Sequence, residues 1–396
     1  MKVLFLSDVY YPRINGVSTS IRNSKINLER LGHSVHLIAP EYPFDTNKEK
    51  WITRIPSMSI PFDPEDRLMS YFKIRKLSNW IKKENFDIVH IHTPFVAHYF
   101  GLHLKNFLNI PCVETYHTFF EDYLHLYIPW LPKIFSKWFA RRLSKRQCNK
   151  VDAVISPSPQ MADILKKYGV STSCEVIPTG IQASFFTQRD KKVFRTQYNI
   201  PLNKKVLLYV GRVAKEKNIE FLINVLNVLS QEDKDIILMI TGQGPAEQEI
   251  EKKIISLNLQ KQVKKLPYLD QENELPQCYA GADIFVFSSK TETQGIVPLE
   301  AMAQGTPVVA IAELGIASVI KDEEGALIAN DDIQHFCSQI KRLLDHRKFS
   351  IEQSKKAKKY VMENWTAEHM AANTINFYQK IIRESSAKKQ LALNQP

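Results

Sequence analysis

Short apolar runs, each followed by an amphipathic stretch, recur along the chain and leave it few folds to choose from. Lys2 to Ser7 is the first run. After a loop, an amphipathic segment spans Val17 to about Leu31, and Gly32 stands where a helix C-terminal cap belongs. Further runs follow at Val35 to Ala39, Asp87 to His92, Cys112 to Tyr116, Ala153 to Ser156 and Glu175 to Ile177. Strands that are continuously apolar are buried on both faces. With helices between them they form a parallel sheet.

The pattern restarts after a polar stretch around Gln188 to Lys204. Strands are expected at Lys205 to Val210, Ile236 to Thr241, Val263 to Leu266, Ile284 to Phe287 and Val308 to Ile311, with a helix over Asn218 to Leu229. The simplest architecture is α/β: two doubly wound, Rossmann-like domains in tandem, assigned to residues 1–190 and 191–365. Residues 366–396 hold a helical segment, Thr366 to Arg383, expected to cross back to the first domain, and a frayed tail from Leu391 to Pro396. Open parallel sheets bind ligands at the carboxyl ends of their strands, so two facing sheets place a site in the cleft between domains.

A length of 396 residues suits two domains, and a 44% hydrophobic, 24% charged composition is that of a globular protein. No stretch reaches the roughly 18 consecutive apolar residues of a membrane-spanning helix. The apolar run after Met1 is too short for a signal peptide and is broken by Asp8, so a cytoplasmic location is expected. Five scattered cysteines without a Cys-x-x-Cys pair argue against a disulfide framework and a zinc site. The net charge of +11 implies an anionic partner: nucleic acid, phospholipid or a phosphorylated substrate.

The stretch Ser289-Lys290-Thr291-Glu292-Thr293-Gln294-Gly295-Ile296-Val297-Pro298-Leu299-Glu300-Ala301-Met302-Ala303 follows a strand, turns at a glycine and starts a helix near Pro298. Backbone N–H groups across Gly295, Ile296, Val297 and on to Leu299 are then available to sugar hydroxyls or phosphate. Glu292 and Glu300 are both expected to face the cleft, one reaching a sugar and the other a ribose diol. Arg212 and Lys217 flank the turn Gly211-Arg212-Val213-Ala214-Lys215-Glu216-Lys217-Asn218 at the end of another strand. There two cations and a helix start can converge on a diphosphate.

Two glutamates separated by seven residues, followed by Ala-Met-Ala-x-Gly-x-Pro-Val-Val, resemble the signature of the retaining glycosyltransferases of family 4, which have the GT-B fold. An isolated pair of glutamates at this spacing is weak, since surface acids are common; the surrounding residues make it specific. The resemblance implies a nucleotide-sugar donor, with Arg212 and Lys217 clamping its diphosphate in place of a metal ion or other cofactor, and Glu300 on the nucleoside sugar. It implies that His117, in Thr115-Tyr116-His117-Thr118, and Glu292 contact the transferred hexose. The acceptor hydroxyl then attacks on the face the diphosphate is leaving, and domain closure excludes water. Gln294 departs from the pattern, since the family often carries an aromatic residue there.

Asn15-Gly16-Val17 is a short loop before the first helix, where a glycine lets backbone approach a phosphate, and Gly242-Gln243-Gly244-Pro245 closes a strand and resembles the family's loop near the nucleotide. Gly16 and Gly242 are therefore donor-binding candidates, although either loop could be an ordinary turn. Neither is the Gly-x-Gly-x-x-Gly fingerprint of dinucleotide binding. His90 and His92 share one face of a strand, as metal ligands would. No carboxylate or cysteine cluster joins them, and packing is the expected role.

Residues 130–150 contain no acid. At helical spacing Leu131, Ile134, Phe135, Trp138 and Phe139 share a face, with Lys133, Lys137 and Arg141 outside it and Arg142 and Arg146 toward the apolar side. Such a helix suits the interface of an anionic membrane, with Trp130, Lys133, Lys137, Trp138 and Arg141 as contacts. The other reading is a helix packed on the first domain with a solvated basic edge. Together with Thr-Tyr-His-Thr and Glu121-Asp122-Tyr123, this segment is similar to bacterial diacylglycerol α-glucosyltransferases. The resemblance implies a UDP-glucose donor, a diacylglycerol acceptor and a cytoplasmic enzyme peripheral to the membrane. Phosphatidylinositol, a lipopolysaccharide core and a polyprenyl-linked glycan are alternative acceptors. A nucleic-acid-binding protein has the charge but lacks a reader motif, so no nucleic-acid partner is expected.

Overall fold

The computed structural model describes residues 1–13, 15–43, 49–60, 63–117, 133–267 and 269–393. In chain order, β1 (Lys2–Leu6), β2 (Ser34–Pro40) and β3 (Ile52–Ile55) precede an antiparallel hairpin of β4 (Ser57–Ile60) and β5 (Asp63–Met69). Then come β6 (Ile88–Ile91), β7 (Cys112–Thr115), β8 (Ala153–Ser156) and β9 (Cys174–Val176). Outside the hairpin they form one sheet in the order β3-β2-β1-β6-β7-β8-β9, every pairing parallel.

Alternate residues of β1 explain why both faces are covered. Leu4 and Leu6 join Val89, Ile91, Phe100 and Leu104 on one side; Val3 and Phe5 join Ile21, Leu28 and Val113 on the other. Helix Val96–Leu108 packs on the first face and helix Gly16–Arg30 on the second. Each such side chain, fully buried, contributes roughly 1.5–3 kcal/mol. The second face is completed from the far end of the chain. Ile375, Phe377, Tyr378 and Ile381, on helix Ala367–Leu393, belong to that core.

The second sheet comprises β10 (Lys205–Val210), β11 (Ile236–Thr241), β12 (Val263–Leu266), β13 (Ile284–Phe287), β14 (Val308–Ile311) and β15 (Ala326–Ala329). Its order is β12-β11-β10-β13-β14-β15, again wholly parallel. Two compact units result: Met1–Thr179 with Ala367–Pro396, and Gly180–Thr366.

The boundary falls before residue 190, where the polar stretch had placed it. Ile181 N–H donates to the Trp365 carbonyl at 2.7 Å, and Phe185 and Phe194 lie in the second unit's core. Within the polar stretch, Arg195 is fully buried. It donates to the Gly281 carbonyl at 2.9 Å and to Asp283 Oδ2 at 2.7 Å, so its charge is paired inside the fold. β3, the hairpin and β15 were not expected either; β15 lies in a short apolar run between polar turns. Among the described residues no helix is long and apolar enough to cross a membrane.

Candidate functional site

In each sheet the strand order reverses once, between β1 and β6 and between β10 and β13. Adjacent loops leave such a point in opposite directions, which opens a crevice at the carboxyl ends of the strands. The sequence-derived candidates gather at these two places.

In the second unit, the loop after β10 carries Arg212 and Lys217, and the loop after β13 carries Glu292. Lys217 Nζ donates to Glu292 Oε1, both side chains about one-fifth exposed, so the two candidates meet as an ion pair. Arg212 stands 3.9 Å from Glu216. Side chains that sequence reasoning missed fasten the two loops together. Ser288 Oγ donates to the Asn218 carbonyl at 2.8 Å and Ser289 Oγ to that of Glu216 at 3.2 Å, both serines fully buried. Asn218 takes up the left-handed conformation (φ 55°) that ends the 3-10 turn Lys215–Lys217 and admits helix Ile219–Glu232.

Gly295 caps helix Ile296–Ala303 at φ 91°, and a Cβ there would lie 2.1 Å from Ile316 Cδ1. Ile296 and Val297, half-buried, open the helix with N–H groups that lack a carbonyl one turn back. The loop is braced from behind where Gly315 N–H donates to the Glu292 carbonyl at 2.8 Å. Gly242 (φ 127°) is exposed, and its lack of a side chain serves packing: a Cβ would sit 2.0 Å from the Gly211 carbonyl oxygen. Its loop thus lies directly against the one bearing Arg212.

Glu300 differs from the open carboxylate expected. It is only 6% exposed, and Tyr279 donates to its Oε2 at 2.8 Å. Burial raises its pKa to about 7, against the lowering effect of the Tyr279 hydrogen bond. No local pattern pointed to Tyr279, which reaches Glu300 from the neighbouring helix Glu274–Gly281.

In the first unit, Gly16 opens helix Gly16–Arg30 with nothing within 4 Å of where a Cβ would stand, and the Asn15 side chain accepts from Ser18 N–H at 2.9 Å. Asp8, just past β1, accepts from Thr93 Oγ1 at 2.8 Å and from Ala97 N–H at 3.1 Å. It thereby caps helix Val96–Leu108, which has no cap of its own. Burial pushes the Asp8 pKa up to about 6. His90 and His92 do pack in the sheet, and they also bond. His90 Nδ1 meets Tyr378 Oη at 2.5 Å, its Nε2 meets Thr115 Oγ1 at 2.6 Å, and His92 Nδ1 meets Nε2 of His117 at 3.1 Å. Burial lowers the His117 pKa to about 4.

Residues 190–360 match the family described as Glycosyl transferases group 1, and residues 14–185 match Glycosyltransferase Family 4. The alpha-monoglucosyldiacylglycerol synthase of Streptococcus pneumoniae is 33% identical over 330 residues, which is 82% of this chain and 74% of the relative. This chain is a glycosyltransferase of that family. The enzyme of the same name from Acholeplasma laidlawii is 28% identical over 344 residues, 83% of this chain and 85% of the relative. Two solved structures share the fold: a sucrose-phosphate synthase from Thermosynechococcus elongatus and the Anabaena protein HepE in complex with UDP and glucose. Their TM-scores are 0.80 and 0.78 at 20% and 18% identity, over 97% and 96% of this chain and all of each neighbour. The glycosyltransferase therefore has the GT-B fold expected from its motifs.

The basic segment of this glycosyltransferase begins, within the described residues, at helix Lys133–Cys148; Trp130 and Leu131 lie outside them. Its inward face is made of small and polar residues, Ser136, Ala140, Ser144 and Gln147, and not of the aromatics. Tyr116 Oη meets Ser144 Oγ at 2.8 Å, and Gln147 Nε2 donates to the Pro94 carbonyl at 2.6 Å. Phe135, Trp138 and Phe139 are 62%, 58% and 49% exposed, with Arg141, Arg142, Lys145 and Arg146 also outside and Lys137 half-buried. Arg142 lies over the Trp138 ring at 5.6 Å, and Arg141 over that of Tyr168 at 5.7 Å.

Proposed function

We propose that this glycosyltransferase moves glucose from UDP-glucose to diacylglycerol with retention of configuration, as a cytoplasmic enzyme peripheral to the inner face of an anionic membrane. The observation that carries the acceptor is the shared name of the Streptococcus and Acholeplasma relatives, alpha-monoglucosyldiacylglycerol synthase, each spanning more than four-fifths of this chain. Three exposed aromatic rings among exposed arginines and lysines support it. Rings of that kind settle at the headgroup level while the cations meet anionic lipid.

In this reading Arg212 and Lys217 hold the donor diphosphate. The bond from the glucose anomeric carbon to the diphosphate oxygen breaks as the acceptor hydroxyl bonds to that carbon from the same face. The hydroxyl proton passes to the departing phosphate, and the two cations stabilise the charge that develops there. Glu292 and His117 hold the hexose, and Glu300 accepts from the ribose hydroxyls. N–H groups at Gly295, Ile296 and Val297 meet the sugar phosphate, Gly16 keeps a side chain out of its way, and Gly242, packed on Gly211, brings its loop to the donor beside Arg212.

The test is to incubate the purified chain with labelled UDP-glucose, other nucleotide sugars as alternatives, and phosphatidylglycerol vesicles containing diacylglycerol. Label in the lipid extract from UDP-glucose alone, lost in Lys217→Ala and Glu300→Gln, is the expected result. UDP-glucose hydrolysis without labelled lipid removes diacylglycerol as acceptor.

A further inference from the structure

We propose that His92 is a positioning residue: it donates from Nδ1 to Nε2 of His117 and holds the His117 proton on Nδ1, so that His117 meets the sugar as a hydrogen-bond donor. This rests on the reading that His117 contacts the hexose. The inference about His92 itself follows from its surroundings.

His92 follows directly on β6, with its backbone N–H on the Leu6 carbonyl at 2.9 Å, and is 2% exposed. Its ring meets Phe5 edge-on with centroids 4.6 Å apart, lies 4.1 Å from the His90 ring, and stacks on His117 at 5.4 Å with planes 20° apart. Nδ1 meets His117 Nε2 at 3.1 Å, while Nε2 is buried without a partner among the described residues. His90 cannot serve that nitrogen, because both of its own are taken by Tyr378 and Thr115. The cavity beside the pair, about 10 Å³, is at the lower limit for one water.

Burial keeps both rings neutral, lowering His117 to about 4 and His92 well below its ordinary value. A neutral imidazole has one N–H and one acceptor nitrogen, so the pair has two arrangements. If His117 donates, the His92 proton moves to Nε2 and becomes a buried N–H with no acceptor. If His92 donates from Nδ1, only a lone pair is left unmatched. Orphaned buried donors are the rarer and costlier defect, so the second arrangement wins. It leaves His117 with its proton on Nδ1.

Two-bond proton–nitrogen spectra of the full chain labelled with ¹⁵N-histidine report which ring nitrogen carries the proton; His117→Gln assigns the signal. The expected result is His117 protonated on Nδ1 in the parent, shifting toward Nε2 in His92→Phe. In His92→Asn it stays on Nδ1, since the carboxamide N–H replaces the Nδ1 donor. Transfer follows the tautomer: KM for UDP-glucose rises about fivefold in His92→Phe, the worth of one hydrogen bond, and recovers in His92→Asn. A packing role alone would give no recovery on that pattern. His117 protonated on Nε2 in the parent, or on Nδ1 regardless of residue 92, overturns the proposal. Should the tautomer behave as expected while His117→Ala transfers normally, the sugar contact fails and the positioning by His92 stands.

Discussion

The two strand-order reversals use opposite chemistry. Between β1 and β6 the polar groups are buried and burial disfavours their charge: Asp8 is raised to about 6, and the histidines are neutral, His117 lowered to about 4 and His90 to about 3. Between β10 and β13 the groups are charged and partly open, with Lys217 against Glu292 and Arg212 near Glu216. Buried donors and acceptors fixed by hydrogen bonds suit hydroxyl groups, whose recognition depends on direction. Partly exposed cations already matched by carboxylates suit an incoming anion, which replaces one negative partner with another. One topology, used twice, thus supplies a stiff polar end and an exchangeable ionic end.

The sharpest way to break that contrast is to remove the ionic end. Lys217→Ala should lower the transfer rate by about 10²–10³, the usual loss for a group stabilising transition-state charge, with the melting temperature nearly unchanged. A loss below tenfold would deny the second reversal its role. Next comes Asp8→Ala, which leaves the Thr93 hydroxyl and Ala97 N–H without their acceptor. It should reduce unfolding free energy by about 2 kcal/mol in a denaturant titration. A negligible change would mean that the first reversal is not locked.

Glu300 tests where the ionic end stops. With its pKa at about 7 it is mostly protonated at pH 6 and ionised at pH 8; the carboxylate accepts from both ribose hydroxyls, whereas protonation turns one of its oxygens into a donor. UDP-glucose affinity by calorimetry should therefore rise with pH across that window, by up to about tenfold, and be flat in Glu300→Gln. Stability runs the other way. A folded pKa above the ordinary 4.5 means the native state binds the proton more tightly, so this contribution is complete below about 4.5 and is lost as pH rises through about 7. The smallest effect is the most diagnostic. Glu292→Gln frees Lys217 and should tighten UDP about threefold while transfer is lost, which corresponds to about 0.7 kcal/mol for this part-buried pair. Weaker UDP binding in that variant would contradict the exchange of partners.

The ionic end was readable from the chain because its residues are consecutive: Arg212 to Lys217 and Glu292 to Glu300 each lie within a single loop and helix start. What holds them was not. Ser288 reaches Asn218 across 70 positions, and Tyr279 reaches Glu300 from another helix, so no local spacing encodes either contact. The buried end was harder still, since Asp8 caps a helix 89 residues away. The packed face of the basic helix was not legible for another reason. Ser136, Ala140 and Ser144 carry little hydrophobicity, yet their small size lets the backbone approach, so the buried face is the one a hydrophobic pattern ignores. Arg195 is a similar case: it lies in a polar stretch, but its charge is satisfied inside the core.

Tyr378 gives the first unit an unusual timetable. A ribosome delivers Met1–Thr179 well before Ala367–Leu393, yet Ile375, Phe377, Tyr378 and Ile381 form part of the core under β1, and the His90 imidazole finishes on the tyrosine hydroxyl. The second unit, Gly180–Thr366, is made in one piece between them and can close first. The half synthesised earliest is therefore the half completed last. A nascent chain stalled short of Ala367 would carry a finished second unit and a first one with one apolar face still open to whatever binds such surfaces.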